Sequence, residues 1–453
     1  MSPINLLRFP LLRQALTRRW PLLLLRASAL GGFAFAILAG LIGTPVGNHN
    51  FAIVAVWIAW WAALMLVIVP FLGRSWCAIC PIPMPGEWLQ QGAVLGPARP
   101  SQRGKVIDRR FPKYLRNIWG QNVAFTLLAL FSAVILTRPP ITAWVLLGMI
   151  LLATGLSLVY QRRTFCRFVC PVGGFIGLYS QLAPLALRVI NPQVCKAHTI
   201  KSCYQGSEDG YGCPWDVYPG GMIVNTNCGL CMECLRTCNY DNIALNLRAF
   251  GADLQTTKRP KLDEAYKALI MLGAALAYSA VMVGPWGALK EAAYQVGSIP
   301  WVMFTLGLVI LTWVLLPGIF RLTTHIAQRL APSHPARNEI FTAFSASLLP
   351  LGLSAWVAFS LSFVFASLSY LWPALSDPLG WGWDLLGTAN IPWQPYGGAF
   401  VPILQIAVLL VGLFWAGNTA QNIALDYGGQ RMALPVIAFH SALTLSLMAL
   451  LIA

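Results

Sequence analysis

The sequence predicts an α-helical polytopic membrane protein with about nine transmembrane helices. Three observations lead to this fold class: a low content of charged residues, apolar runs as long as a bilayer is thick, and an uneven distribution of basic residues. Of the 453 residues, 57% are hydrophobic and only 10% are charged. Soluble domains carry roughly a quarter charged residues, so most of this chain is expected to face lipid.

Nine apolar runs are long enough to span a membrane. About 20 residues are needed to cross a hydrocarbon core of roughly 30 Å. Lipid offers no partner for a free backbone N–H or C=O group, so each run is expected to be a helix. The runs are residues 24–44, 51–72, 120–137, 141–160, 264–284, 299–320, 341–367, 397–417 and 433–452.

The net charge of +16 is distributed as the positive-inside rule requires. With nine spans and the N-terminus inside, only Arg138 and Lys290 of the 31 Lys and Arg residues lie on the outer side. Most of the others cluster before the first run, between the second and third runs, and around the polar loop 161–262. This pattern predicts a multi-pass protein of the inner (cytoplasmic) membrane, with the N-terminus and this loop in the cytoplasm and the C-terminus outside. It argues against nucleic-acid binding.

Four cysteines in the polar loop have the spacing of a ferredoxin. The stretch NTNCGLCMECLRTCNYDN contains Cys228, Cys231, Cys234 and Cys238 as a C-x2-C-x2-C-x3-C run, which holds iron–sulfur clusters in bacterial ferredoxins. Structural disulfides are rare in the reducing cytoplasm, so these thiols are expected to be metal ligands. Zinc is the alternative occupant. We therefore expect a small cytoplasmic ferredoxin-like iron–sulfur insertion in this loop.

Three further cysteines precede that run and look like a stretched partner motif. They are Cys195, Cys203 and Cys213. Two-cluster ferredoxins exchange the fourth cysteine between their motifs. By that exchange, Cys213 is the fourth ligand beside the first three cysteines of the run. Cys238 then belongs with Cys195 and Cys203. The alternative division puts Cys213 and Cys238 together with the upstream pair and leaves the other trio one ligand short.

Seven loop cysteines cannot supply eight ligands, so one group is expected to be unusual. The candidates for the missing ligand are Cys166, Cys170, His198 and Asp209. A group without a fourth ligand is the remaining choice, as in a three-iron [3Fe-4S] cluster. We predict two [4Fe-4S] clusters, one of them with an unusual ligand or as [3Fe-4S], and a single cluster is the alternative.

The other four cysteines form an internal repeat. RSWCAICPIPMPGEW follows the second apolar run and RTFCRFVCPVGGFIG follows the fourth. Each stretch follows two predicted helices and contains a basic residue, an aromatic residue, a cysteine pair and a proline. The pairs are Cys77/Cys80 and Cys166/Cys170. Repeated hairpins in membrane proteins commonly form a site at their interface. We predict that the four thiols converge on a further metal site at the cytoplasmic surface; the alternative is that they are buried packing residues.

Residues 20–250, approximately, resemble the membrane polyferredoxins of the NapH and NosR type and the copper-reducing CcoG type. The resemblance rests on the two Cys–Pro motifs and on the ferredoxin run. It implies 4Fe-4S clusters, and electron exchange between the quinone pool or cytoplasm and redox partner proteins at the outer face. Two departures matter. The first pair is CxxC rather than CxxxC, and the upstream cluster motif is spread out.

The chain is predicted to have three parts. These are a four-helix membrane half (1–160), a cytoplasmic loop with the second Cys–Pro motif and the clusters (161–262), and a five-helix membrane region (263–453). The expected function is electron transfer between a quinone pool or cytoplasmic donor and a membrane or outer-face partner, as a subunit of an oxidoreductase. Copper reduction or metal-centre assembly for an outer-face metalloenzyme is the alternative. A transporter-like scaffold whose clusters sense redox state is a third hypothesis.

Two other side chains invite a functional interpretation. His440 lies in the last apolar run; it is expected to be a hydrogen-bonded structural histidine, with haem ligation as the alternative. Glu87 follows the first Cys–Pro pair; it is expected to be an exposed loop carboxylate, with quinol proton transfer as the alternative. No P-loop, G-x-S-x-G or H-E-x-x-H motif supports hydrolysis or nucleotide chemistry.

Overall fold

Helices make up most of the chain. The computed structural model describes residues 3–94, 106–256, 260–332 and 335–452. Within these ranges, eight helices are long and apolar enough to cross a membrane, which supports the predicted helical polytopic membrane protein. They are Arg19–Ile42, Phe51–Leu72, Pro139–Val159, Leu262–Val283, Ile299–Arg329, Arg337–Ser376, Val401–Asp426 and Gln430–Ile452.

The third predicted span, residues 120–137, is a broken helix. The chain forms Trp119–Leu130 and then Ser132–Ile135. The Ser132 hydroxyl donates to Ala129 O at 2.9 Å, a local bond that competes with the helical ladder. Neither piece alone has the ~20 residues of a span. The predicted number of nine is therefore not confirmed, and the outer location of the C-terminus, which depends on it, stays a prediction.

The chain divides into two compact units that interleave along the sequence. The first unit contains residues 1–37, 67–121 and 143–256, and the second contains residues 38–66, 122–142 and 257–453. All eleven cysteines belong to the first unit. The predicted functional boundaries near residues 160 and 262 stay predictions, because a compact unit need not coincide with a functional segment.

Short helices carry most of the cysteine-rich part of the first unit. Proline is at the first or second position of four of them, where its fixed φ suits a helix and its missing N–H costs nothing. The helices are Pro10–Thr17, Trp76–Ile79, Met84–Gln91, Thr164–Phe168, Pro171–Tyr179, Pro192–Ala197, Ser202–Gln205 and Glu233–Arg236.

A small antiparallel sheet also lies in the first unit. Its strands are β1 (Ile4–Asn5), β2 (Leu185–Val189) and β3 (Ile243–Leu247), in the order β1–β3–β2. Strand β2 pairs along its whole length with β3, from Leu185 opposite Leu247 to Val189 opposite Ile243. The sheet joins the segments before and after the ferredoxin run, and the sequence did not predict it.

The N-terminal segment packs against the ferredoxin-like part. Leu7 is buried in a hydrophobic cluster with Cys203 and Cys234, beside residues of β2 and β3. Further along, Arg236 donates to the backbone carbonyls of residues 16 and 17, at 2.9 Å each. These contacts hold the start of the chain against the cysteine-rich loop.

Aromatic packing joins helices of the second unit. Trp356 is buried, donates to Met271 O at 3.1 Å and packs edge-on against Trp61 and Phe125. His440 is also buried and its Nε2 lies 3.3 Å from a serine hydroxyl, which agrees with a hydrogen-bonded structural histidine. From residue 262 onward, the α-helices are Leu262–Tyr278, Gly287–Tyr294, Ile299–Val309, Leu316–Arg329, Arg337–Ser345, Leu348–Ser367, Leu371–Ser376, Val401–Asp426 and Ala433–Ile452.

Candidate metal centre

The eleven cysteines are free thiols, seven of them buried and four half-buried. The largest contributions of one thiol to the pKa of another fall within three neighbouring groups, and smaller ones join Cys203 to Cys213 and Cys234. The groups are the loop group (Cys213, Cys228, Cys231, Cys234), the Asn242 group (Cys195, Cys203, Cys238) and the Cys–Pro group (Cys77, Cys80, Cys166, Cys170).

The loop group combines three cysteines of the ferredoxin run with the distant Cys213. Burial raises the pKa of Cys228 to about 11 and that of Cys231 to about 12, and in both cases the neighbouring Cys213 thiol adds to the effect. Burial also raises the pKa of Cys234, and the charges of the other three members raise it further. This is the first of the two divisions considered from the sequence, although ligation itself stays a prediction.

The backbone of the ferredoxin run turns toward its own sulfur atoms. Leu230 and Met232 have φ values of 48° and 60°, in the left-handed region that costs a non-glycine residue about 1–3 kcal/mol. Alternation of this kind forms a concave nest of N–H groups, found at many iron–sulfur sites. The backbone N–H of Leu230 lowers the pKa of Cys228 and that of Glu233 lowers the pKa of Cys231, against the larger opposing effect of burial. The strained turns thus provide donors for thiolates.

In the Asn242 group, two of the three thiols accept hydrogen bonds from Asn242. Asn242 Nδ2 donates to Cys195 Sγ at 3.3 Å, and its backbone N–H donates to Cys238 Sγ at 3.4 Å. Burial raises the pKa of Cys203 to about 11, and the Cys238 and Cys195 thiols add to this. The Tyr218 hydroxyl also contacts this group and donates a hydrogen bond to Cys195 O at 3.0 Å.

Three of the four candidates for a fourth ligand of the Asn242 group have other neighbours. The ring nitrogen Nδ1 of His198 lies 2.7 Å from Val194 O, and the ring stacks on Tyr240 with centroids 4.4 Å apart. Cys166 and Cys170 lie with the other Cys–Pro pair. The structure thus brings three cysteines together here, and a fourth ligand stays open.

The Cys–Pro group brings the two repeated pairs together. Burial raises the pKa of Cys80, and the thiols of Cys77 and Cys170 add to it. Burial likewise raises the pKa of Cys166, with contributions from the other three thiols. Cys170 caps the helix Pro171–Tyr179, and its Sγ accepts the Gly173 N–H at 3.2 Å. Proline after each pair therefore begins a new turn whose N–H groups are free to face sulfur.

Arg74 and Arg163 tie the two repeats together reciprocally. Each lies three residues before the first cysteine of its own pair. Arg163 Nη1 donates to Cys77 O, and Arg74 Nη2 donates to Cys166 O at 3.3 Å, so each binds the backbone of the other pair. Both guanidinium groups also stack on the buried Trp215, 4.2 Å (Arg74) and 5.5 Å (Arg163) from the ring centroid.

The charge of Arg163 is neutralised by Glu87. Nε and Nη2 of Arg163 donate to the two carboxylate oxygens at 2.5 and 2.7 Å, and the two side chains are 1% and 6% exposed. Burial alone raises the pKa of Glu87, but Arg163 outweighs burial and holds that pKa below its usual range. The expectation that Glu87 is an exposed loop carboxylate is therefore wrong, because its helix, Met84–Gln91, turns it toward Arg163.

The charge of Arg74 has no such partner. The position equivalent to Glu87, seven residues after the second cysteine of the pair, is Gly177 in the second repeat. A Cβ there would lie 2.8 Å from Arg74 Nη1. Arg74 reaches past this glycine to the carbonyl of Thr226, next to the ferredoxin run. In the part of the chain that the structure describes, no carboxylate pairs with Arg74.

The surroundings of the loop group fit an anionic iron–sulfur occupant. Arg74 Nε and Trp215 Nε1 are buried without a hydrogen-bond partner in the described ranges. Trp215 Nε1 lies so close to Gly229 that a Cβ there would be 2.1 Å away, which explains glycine between the first two cysteines of the run. A buried cation and an unpaired donor are costly. Thiolate and sulfide sulfur would compensate both.

A site for a single metal ion needs its ligands closer together than an iron–sulfur cluster does. Within residues 3–94, 106–256, 260–332 and 335–452, no three His, Cys, Asp or Glu side chains are placed to hold one ion. Around a single zinc ion, with Zn–S distances of ~2.3 Å, the thiolates lie within about 4 Å of one another. An iron–sulfur cluster contains several metal atoms and spaces its ligands more widely. That finding therefore leaves the cluster prediction open.

Two stretches of the chain, residues 53–100 and 142–189, match a protein-family model described as a 4Fe-4S binding domain. They contain the two Cys–Pro pairs and agree with the internal repeat. The matches suggest iron–sulfur electron transfer, and two of them fit two clusters. No curated protein and no solved structure matches the chain significantly. The finer resemblance to the NapH and NosR type stays a prediction.

Sequence reasoning missed the residues that connect the groups. Arg74 and Arg163 were visible as the basic residue of each repeat, but nothing local indicates that each binds the other pair. Trp215 follows Cys213–Pro214 in the loop, and its contacts with two arginines depend on the tertiary fold. The repeat itself was the available signal, since equivalent residues in paired hairpins are expected to meet near their common axis.

Proposed function

We propose that this protein is a membrane-bound iron–sulfur electron-transfer protein. It links a quinone pool or cytoplasmic donor to a membrane or outer-face redox partner, as a subunit of an oxidoreductase. The observation that carries the proposal is that three neighbouring thiol groups lie in one unit, two of them beside the buried Arg74 and Arg163. Clusters bound there would supply one-electron transfer. The loop and Cys–Pro groups would each bind through four thiolates, and the Asn242 group through three.

The contacts support a linear order with the loop group in the middle. On one side, the thiol of Cys203 in the Asn242 group contributes to the raised pKa of Cys234 in the loop group. On the other side, Arg163 interacts with Cys231 of the loop group and with Cys166 of the Cys–Pro group. Trp215, stacked on both arginines, lies at the same junction. Neighbouring groups in this order would exchange single electrons.

The protein's own residues set the conditions for that exchange. Burial excludes water from most of the thiols. Arg74, which lacks a carboxylate partner among the described residues, favours the reduced, more negative state of its neighbours, because reduction adds a negative charge beside a fixed positive one. Arg163 has its charge balanced by Glu87 and mainly fixes the geometry. The two halves of the repeat would therefore contribute differently to the reduction potential.

The remaining features support a cytoplasmic location for the clusters. The N-terminal segment packs against the ferredoxin-like part, so the two lie on the same side of the membrane, and the basic residues around both favour the inside. The match of the Cys–Pro stretches to a 4Fe-4S binding domain favours iron–sulfur chemistry at those pairs over copper handling. We therefore keep copper reduction only as an outcome of the test below.

Quinone is expected to reoxidise the reduced protein. Full-length protein in lipid nanodiscs is reduced without oxygen, excess reductant is removed, and a soluble quinone is mixed in while the iron–sulfur absorbance is followed. The proposal predicts recovery of the oxidised absorbance in the wild type and little recovery in Cys231→Ser, which lacks one loop-group thiol. Leu235→Met, a buried neighbour with similar volume, serves as control. Reduction of added Cu(II) without any reaction with quinone would contradict the proposal and favour the copper alternative.

A further inference from the structure

A cavity rich in arginine opens beside the loop group. Its volume is about 310 Å³, and it is walled by Pro214 and Trp215, which directly follow Cys213. Stacked aromatic rings form another wall, with Phe111 and Phe168 4.9 Å apart. The whole lining falls between residues 110 and 216 and belongs to the first unit. We call it the arginine cavity.

Positive charge in the arginine cavity exceeds negative charge. Arg163 is set aside, because Glu87 neutralises it. Arg162 and Arg167 share a single carboxylate, that of Asp216, at 3.4 and 3.1 Å. Arg110 and Arg116 are exposed at the cavity and make no ion pair in the described chain. Four guanidinium groups thus lie at the cavity beside one carboxylate. This excess of positive charge favours the binding of a multiply charged anion.

The side chains of Arg162 and Arg167 are held in place and keep N–H donors available for a ligand. All three side-chain hydrogen bonds of Arg167 leave from Nη1: to Trp215 O (3.0 Å), Asp216 O (3.0 Å) and Asp216 Oδ2 (3.1 Å). Arg162 lies flat over Tyr204, 4.4 Å from the ring centroid, and donates to Cys213 O. Both arginine side chains remain 24% exposed. Fixed planar guanidinium groups of this kind match the paired oxygens of an oxyanion.

We propose that the arginine cavity binds a phosphate group. A phosphate monoester carries about −1.5 to −2 charge at pH 7 and three acceptor oxygens, which suits the excess of guanidinium better than a single carboxylate does. The phosphate can come from a soluble molecule or from a lipid headgroup, and both have the same recognition chemistry. Binding itself is independent of the proposed function. Its consequence, a more negative reduction potential for the loop group next to Cys213, rests on that function.

Titration calorimetry with pyrophosphate, at constant ionic strength, tests the proposal on full-length protein in phosphatidylcholine nanodiscs. We expect saturable binding to the wild type. The double variant Arg110→Gln/Arg116→Gln should weaken it about tenfold, the loss expected for charge-assisted contacts. The matched control is Arg109→Gln/Lys113→Gln, which removes the same charge from neighbouring exposed residues outside the cavity lining. It should bind as the wild type does.

Nanodiscs that contain phosphatidic acid distinguish the two sources. If the headgroup occupies the cavity, pyrophosphate binding is lost in these discs and retained in phosphatidylcholine. If the phosphate comes from solution, both discs give the same affinity. No pyrophosphate binding in phosphatidylcholine discs, or equal weakening by the cavity variant and its control, would overturn the proposal. The iron content of every variant is measured in parallel, so that a failure of cluster binding is recognised separately.

Discussion

Arg163→Gln is expected to lower the unfolding temperature of the first unit strongly. The substitution leaves the Glu87 carboxylate buried without its cation and removes the bond to Cys77 O. Removing one partner of a buried ion pair costs about 3–5 kcal/mol. The measurement is thermal unfolding of full-length protein in nanodiscs, followed by the loss of iron–sulfur absorbance and by circular dichroism.

The double variant Glu87→Gln/Arg163→Gln separates the charge from the rest of the arginine's contacts. It removes both charges, so it should lose clearly less stability than the sum of the two single variants. Arg13→Gln is the matched control, because Arg13 pairs with Asp241 on the surface, with side chains 47% and 62% exposed. Exposed pairs contribute ~0–1 kcal/mol. If Arg163→Gln behaves like this control, the buried pair does not hold the repeats together.

Cys231→Ser is expected to remove about four iron atoms per chain, the content of one cubane cluster. Serine keeps the size of the side chain but replaces the thiolate that the loop group would use. The lost signal should be one component of the electron paramagnetic resonance (EPR) spectrum of the reduced protein, while the helical content of the membrane part stays unchanged. Iron analysis and EPR on the same sample provide the measurement.

Leu235→Met again serves as the control for Cys231→Ser, since Leu235 packs in the same hydrophobic cluster as Cys234. It should keep full iron content. Unchanged iron and EPR signals in Cys231→Ser would show that Cys231 is not a ligand, and the ferredoxin interpretation of the run would fail. A loss of all signals together with the fold would instead mean that the loop group is needed for folding, which circular dichroism detects.

Local spacing predicted much of the candidate site. The three-residue steps of the ferredoxin run and the two Cys–Pro pairs are short-range patterns, so the sequence shows them directly. The exchange of Cys213 into the loop group was one of two open divisions, and the contribution of Cys213 to the pKa values of Cys228 and Cys231 favours it. Ligation by these thiols stays a prediction.

Long-range contacts account for what the sequence did not predict. Strand β1 pairs with β3 across more than 200 residues, Ile4 opposite Leu247, and no local pattern indicates that partner. Glu87 is polar and lies in a loop-like stretch with three nearby prolines, which favoured an exposed position, yet the distant Arg163 makes its burial favourable. Apolar runs located most of the membrane helices; hydropathy does not detect the break between Leu130 and Ser132, beside which the Ser132 hydroxyl bonds to Ala129 O.

The most direct test is the iron and acid-labile sulfide content of the purified wild-type protein, combined with EPR of the reduced state. The account predicts about seven or eight iron atoms and about eight sulfides per chain from two clusters, one of which can be [3Fe-4S], and about twelve of each if all three thiol groups bind a four-iron cluster. Reduction should produce the EPR spectrum of interacting clusters. Protein that contains zinc, or iron without acid-labile sulfide, would contradict the account.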